Sequence, residues 1–442
     1  MSSTTTTTLP PLPQPERFQL PGGCPVSVLR RGGPAILSAR LWIRGGSAAD
    51  PPGQRGRSQL LAGLLSRGCG ELSGDQLADL VEGLGDDLRC EASEDALVIS
   101  LKCASDDAPT LLPLLEAMVQ RPWLDPDQIS LERQLNLQTL ARLREDPFQQ
   151  AHDLLQSHLY GQGPYGHDPL GVEEELAGLD RSRLLEAAAD LGGQGAALVL
   201  VGRPPRDLEQ LLHPADAPIW TARPPLALPG QQGEASPALV REEQDTEQLV
   251  LLLGASTVPL GDPRSLALRL LQCHLGVGMS SRLFVALREE HGLAYDVGVH
   301  APARCGASPF VFHLSSSAER ATEATRELLS EWQRLLDQPL SESELALALA
   351  KFRGASAAGR QTCGQIASRQ AMVLGHGLGW SYADDALRRA GSLDPATLHA
   401  VARQLLGRPS LSLCGPPQAL NAAAQVWGAH PLGRSSPEQG VS

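Results

Sequence analysis

Two stretches far apart in this chain carry the same succession of signals. LDRSRLLEAAADLGGQGAALVLVGRPP runs from Leu179 to Pro205, and LDPATLHAVARQLLGRPSLSLCGPP from Leu393 to Pro417. Each opens on an Asp (Asp180, Asp394) placed to cap a helix. Each continues with apolar residues at i, i+3, i+4 spacing, stops at Gly, and passes into a short apolar strand closed by Gly and Pro. The offset is about 210 residues. Such a repeat constrains the fold strongly, because each element must be found twice and each copy is already the size of a domain.

The beginnings of the two copies match more loosely. Leu37–Gly45 (LSARLWIRG) reads as a strand, then a Gly/Pro-rich loop, then the helix RSQLLAGLLSRG. In the second copy the strand Leu249–Gly254 leads through TVPLGDPR into the helix SLALRLLQCHL. LRCEASEDALVISLKCA, from Leu88 to Ala104, alternates about a polar Glu-Asp turn and reads as a hairpin. The expected fold class is α+β, with two tandem homologous domains, each an antiparallel-rich sheet packed with helices. The expected boundaries are a disordered tail at 1–15, a domain at 16–222, an extended linker at 223–237, a domain at 238–432 and a loose tail at 433–442.

Composition narrows the function. Of the 442 residues 42% are hydrophobic and only 4% aromatic, so the cores are built from Leu, Ala and Val. A net charge of −13 gives no counterion-release gain on nucleic acid, which argues against a DNA or RNA binder. No run approaches the length of a membrane span. The first residues have neither a basic start nor an apolar stretch, so a cytoplasmic location is expected. The eight Cys form no C-x-x-C pair, and their scattered spacing favours reduced thiols. Cys90 and Cys103 flank the hairpin and are the pair most able to face each other. His152 and His158 do not share a helix face. His158 and His167 bracket the loop around Tyr165, where solvated histidines are commoner than metal ligands.

Three strings carry a resemblance: WIRGGSAADPPGQRGRSQLLAGLLSRG (42–68), GQGPYGHDPLGVEEELAGL (161–179) and LGVGMSSRLFVALREEHGLAYDVGV (275–299). Together they resemble the M16 family of peptidases, the insulinase, pitrilysin and mitochondrial processing peptidase group, over about residues 16–430. The resemblance implies a half-clamshell fold. It also implies a helix with H-x-x-E-H, whose two imidazoles bind zinc while the Glu activates water. Here Gln59 stands for the first His, Ala62 for the Glu and Gly63 for the second His. Glu132 matches the family's upstream Glu, but Thr139 stands where the third ligand, a Glu, belongs.

Arg288 and Tyr295 match the Arg/Tyr pair of the family's C-terminal half. Arg offers a permanent cation with a planar donor fork, and Tyr an O–H for a developing oxyanion. Taken alone, Arg288 reads more readily as the ion-pair partner of Glu289, Glu290 or a neighbouring helix, and Tyr295 as an ordinary core tyrosine; the surrounding motif favours the functional reading. The resemblance therefore implies a non-catalytic subunit that binds peptide substrate and supplies Arg288 and Tyr295 to a partner's zinc site. The expected partner is an H-x-x-E-H-bearing M16 subunit in a heterodimer. No metal or other cofactor is expected on this chain itself, zinc being expected in the partner. The alternative is an inactive structural or peptide-holding scaffold of the same fold.

Overall fold

The computed structural model describes residues 9–213, 220–223 and 236–434. Most of the expected linker and residues 1–8 and 435–442 lie outside the described residues. The N-terminal half holds β1 (Glu16–Gln19), β2 (Pro25–Arg30), β3 (Ile36–Arg44), α1 (Arg57–Leu65), a small ribbon of β4 (Gly68–Cys69) and β5 (Leu72–Ser73), β6 (Asp87–Ala92), β7 (Ala96–Ala104), α2 (Pro126–Leu143), α3 (Pro147–Tyr160), α4 (Arg181–Asp190) and β8 (Ala196–Gly202). The C-terminal half holds β9 (Leu239–Glu243), β10 (Gln248–Ser256), α5 (Ser265–Gly276), β11 (Asp296–His300), β12 (Pro309–Ser317), α6 (Cys363–Gly375), α7 (Pro395–Leu406) and β13 (Ser410–Gly415).

The main sheets run β1-β2-β8-β3-β7-β6 and β9-β13-β10-β12-β11. Without β1, the two orders are the same. Each sheet has one parallel pair, β2 with β8 and β9 with β13, and its other pairs are antiparallel. The repeat is therefore structural, and the sheets are mixed though antiparallel-rich. The helix ends obey the expected chemistry: Asp180 accepts from the Arg183 N–H at 2.9 Å and Asp394 from the Thr397 N–H at 2.7 Å.

The halves are locked by an exchange of helices. α3, from the N-terminal half, packs on β10, β13 and β9 of the C-terminal sheet, whereas its counterpart α6 packs on β3 and β8 of the N-terminal sheet. Each sheet thus has its own helices on one face and the other half's helix on the opposite face. This explains why β8, AALVLVG, is buried along its whole length. Leu198 and Leu200 enter the N-terminal core, while Val199 and Val201 meet Ile366, Ala367 and Ala371 of α6. Likewise Leu155 of α3 joins Val250 and Leu252 of β10.

Two expectations can be placed on particular residues. All eight cysteines are free; Cys90 lies opposite Ile99 and Cys103 opposite Leu37, so the hairpin register holds them apart. The part of the expected 1–15 tail that is described, residues 9–15, is tied down on the C-terminal half. Arg360 donates to the Pro10 carbonyl at 2.9 Å, Trp380 Nε1 to the Pro13 carbonyl at 3.0 Å, and the Leu12 N–H to Asp384 at 3.1 Å. Proline supplies carbonyl acceptors without a donor of its own, which suits it to such a lining. Among the described residues, no helix is long and apolar enough to cross a membrane.

Candidate functional site

α1 has no capping side chain of its own, since Gly56 holds the N-cap at φ +99°. Asp50, from the preceding Pro-Pro-Gly loop, does the work. Its carboxylate accepts from the Gly56 N–H at 2.9 Å and from the Ser58 hydroxyl at 2.6 Å. The helix is then seated by Leu60, Leu61, Ala62, Leu64 and Leu65, all buried.

α1 packs on α2, so the structure brings Gln59, Ala62 and Gly63 beside the helix bearing Glu132 and Thr139. The space next to Gly63 is taken. A Cβ added there would lie 2.2 Å from Glu132 Oε1, and the Glu132 carboxylate pairs with Arg67 at 2.9 Å. Thr139 donates its hydroxyl to the Leu135 carbonyl at 2.9 Å. A zinc held as in H-x-x-E-H does not fit this donor set. A methyl and a bare Cα stand where a base and an imidazole are needed, and no imidazole lies on α1. No step is assigned to a metal at this place.

Arg288 and Tyr295 are brought together, though not through their side-chain tips. Arg288 sits in a π-helical segment, Phe284–Glu290, a rare geometry that is frequent at functional sites. Its guanidinium donates to the Tyr295 carbonyl at 3.0 Å and lies 5.2 Å from the centre of the Phe284 ring. Arg288 makes no ion pair with Glu289 or Glu290 among the described contacts. Tyr295 immediately precedes the edge strand β11 and is 64% exposed, so it is not a core tyrosine. No hydrogen bond of the described residues joins either one to α1 or α2. His158 and His167 do not converge: each bonds a main-chain carbonyl, of Ser236 at 3.0 Å and of Asp168 at 2.9 Å.

A third group corrects the expectation that this chain itself holds no metal. Asp95, Cys305 and His376 place one ligand atom each within 4.8 Å of one another, a candidate metal-binding set within this chain and not solely in a partner. Tyr165 orients it: its hydroxyl donates to Asp95 Oδ1 at 2.7 Å and accepts from the Gly306 N–H at 2.8 Å. The Cys305 N–H donates to Asp95 Oδ2 at 2.7 Å. Burial, reinforced by the Asp95 charge, pushes the Cys305 thiol up to about 12, and burial draws the His376 imidazole below its usual range. Beside this group Arg304 pairs with Glu94 and stacks on Tyr165, 4.5 Å from the ring centre. The Glu-Asp hairpin turn and the loop of Tyr165 were visible in the sequence. Cys305 and His376 were not, because each stands alone in the chain and only folding joins them.

Comparison with known proteins accords with this architecture. Residues 33–171 match the family described as Insulinase (Peptidase family M16), and residues 206–352 match the Peptidase M16 inactive domain. The chain is 25% identical to an uncharacterized zinc protease of Streptomyces coelicolor, over 90% of this chain and 89% of that protein. It is 25% identical to another of Mycobacterium tuberculosis, over 96% of this chain and 95% of that one. Among solved structures it resembles a peptidase M16 inactive domain from Pseudomonas fluorescens, with TM-score 0.83 and 23% identity over 91% of this chain and 98% of that one. It also resembles a chain of Complex III2 from Candida albicans, with TM-score 0.76 and 16% identity over 92% of this chain and 99% of that one. At such identities, these structures speak for the fold alone.

Proposed function

The chain belongs to the M16 (insulinase-like) peptidase family, with that family's two typical domains, and from that premise we propose that it is a non-catalytic subunit that binds peptide and works beside an H-x-x-E-H-bearing partner. The match to the inactive domain and a ligand set unlike H-x-x-E-H agree with a homologue whose own catalytic site is degenerate or absent. The observation that carries the reading is the filled space at Gly63. Where the resemblance places an imidazole, the carboxylate of Glu132 lies against the helix and is held by Arg67. Restoring one ligand would not reopen the place, since the ion pair would have to move as well.

What this chain contributes is substrate handling. β6 is an edge strand of the N-terminal sheet and lies against α1, so an extended peptide can add to it by main-chain hydrogen bonds. On the other half, the exposed Tyr295 phenol and the Arg288 guanidinium are donors available to a peptide carbonyl, with Arg288 also bracing the backbone that carries Tyr295. The hydrolytic step belongs to the partner.

The test is co-expression with an M16 chain that has an intact H-x-x-E-H. Peptide cleavage should require both chains. Arg288→Ala or Tyr295→Phe should lower turnover at least tenfold while the complex still co-purifies, since removing one transition-state donor typically costs 10²–10³ in rate. Full turnover in both variants would sink the assigned roles. The second reading, an inactive scaffold, draws on the likeness to a chain of Complex III2. It predicts stable assembly with no cleavage in any pairing.

A further inference from the structure

Three segments meet around Asp95, and they come from both halves of the chain. Asp95 closes the β6–β7 hairpin of the N-terminal half. Cys305 lies between β11 and β12 in the C-terminal half, and His376 directly follows α6. The His376 side chain is 5% exposed and that of Asp95 7% exposed. Yet His376 Nε2 stands 4.0 Å from Asp95 Oδ2, too far for a hydrogen bond, and its Nδ1 has no partner. An imidazole nitrogen that faces a buried carboxylate from beyond hydrogen-bond reach calls for an explanation.

The spacing supplies one. Zinc bound at 2.0–2.3 Å with tetrahedral angles holds two ligand atoms about 3.4 Å apart. Shifts of under about 1 Å would therefore turn the 4.0 Å separation into shared coordination. The donors are one imidazole, one thiol and one carboxylate, a set suited to a borderline divalent ion with a fourth position left for water. The supporting shell is already built. Both oxygens of Asp95 accept hydrogen bonds, from Tyr165 and from the Cys305 N–H, and so hold the carboxylate in place.

Charge narrows the ion further. Arg44 stands beside this group, its Nη2 donating to the Gly375 carbonyl at 3.0 Å next to His376 and its Nε buried without a partner. A hard cation that leaves the thiol protonated would add two positive charges beside it. An ion that takes the thiolate adds only one net charge, because the Cys305 S–H proton leaves to solvent as the metal–sulfur bond forms.

We propose that Asp95, Cys305 and His376 form a zinc-class divalent-cation site that clasps the two halves of the chain together. Since one ligand belongs to the N-terminal half and two to the C-terminal half, binding favours the docked arrangement over any in which the halves part. The inference is independent of the proposed peptidase role, and its test needs no partner.

The full-length chain, stripped with chelator, is titrated with zinc chloride. One zinc per chain should bind. Zinc should raise the thermal midpoint by several degrees and protect Cys305 from alkylation, as read by peptide mapping. Cys305→Ser and His376→Asn should each weaken zinc binding at least 100-fold, whereas Cys273→Ser should not. The proposal is overturned if zinc binds well below one per chain at tens of micromolar, or if both variants retain wild-type affinity. Should the variants misfold, the wild-type alkylation experiment decides alone: Cys305 modified equally fast with and without zinc refutes the site.

Discussion

Gly63 and Glu132 are a pair that substitution can separate. A methyl at Gly63 improves helix propensity by about 0.5–1 kcal/mol, but it must displace a carboxylate whose oxygen would be 2.2 Å away. We therefore expect Gly63→Ala to destabilise the wild-type chain by about 1 kcal/mol, and to stabilise the Glu132→Ala background by about 0.5 kcal/mol. Urea unfolding of the four chains measures the coupling; additive effects would mean that Glu132 does not hold that space. A second residue sets a pH dependence. His274 on α5 is 6% exposed, and burial, followed by Arg282, Lys351 and Arg334, draws its pKa down to about 4 against the opposing Glu344. The folded value thus lies below the unfolded value of 6.5, so the unfolded chain takes up the proton first. This contribution is intact above about pH 6.5, declines as pH falls, and levels off below about pH 4. Between pH 7 and pH 5, His274→Gln should lose about 2 kcal/mol less stability than the wild type, measured by urea midpoints. An equal loss in both proteins would contradict the assignment.

At the scale of elements, the exchanged helices matter most. α6 reaches the foreign sheet by a close approach at Gly375, where a Cβ would come 2.2 Å from the Trp42 ring, itself 4% exposed. A rigid buried ring cannot yield as a carboxylate can. Gly375→Ala should therefore cost about 2 kcal/mol through overpacking. Gly354 is also helical but meets nothing within 4 Å, so Gly354→Ala should gain about 0.5–1 kcal/mol. Thermal midpoints moving the same way in both variants would show that the α6–sheet approach is not tight. The same contrast separates the two copies of the repeat. Asp180 and Asp394 play one role in both, whereas α1 takes its cap from a loop residue, Asp50, that no local pattern flagged.

For the whole molecule, the exchange means that neither domain is closed by its own chain. Residues 16–222 expressed alone would expose Trp42, Val199 and Val201, which α6 covers, and would leave the apolar face of α3 without the C-terminal sheet. We expect the intact chain to unfold in one cooperative transition, and each half alone to bind a hydrophobic dye or aggregate, despite being of ordinary domain size. Two separate unfolding transitions, with halves that fold independently, would refute the dependence. The polar seam between the halves, where Arg304 meets Glu94 and the Gly306 N–H meets the Tyr165 hydroxyl, adds direction to this apolar contact by fixing one orientation of docking.

Much of this was legible in the chain. The repeat, the α+β class, the cap residues and the hairpin at 88–104 all follow from patterns confined to a few dozen neighbouring residues. Local propensity and periodicity determine such features. The resemblance to the M16 family, carried residue by residue, pointed to Gln59, Ala62, Gly63 and Thr139, and these positions lie on α1 and α2. Three things only the tertiary structure decided: that Glu132 fills the hollow at Gly63, that α3 and α6 change places between the sheets, and that Asp95, Cys305 and His376 converge. Each depends on contacts between segments from about 70 to more than 200 residues apart. No spacing rule reaches across such distances, since the chain between is free to fold in many ways until the two cores pack.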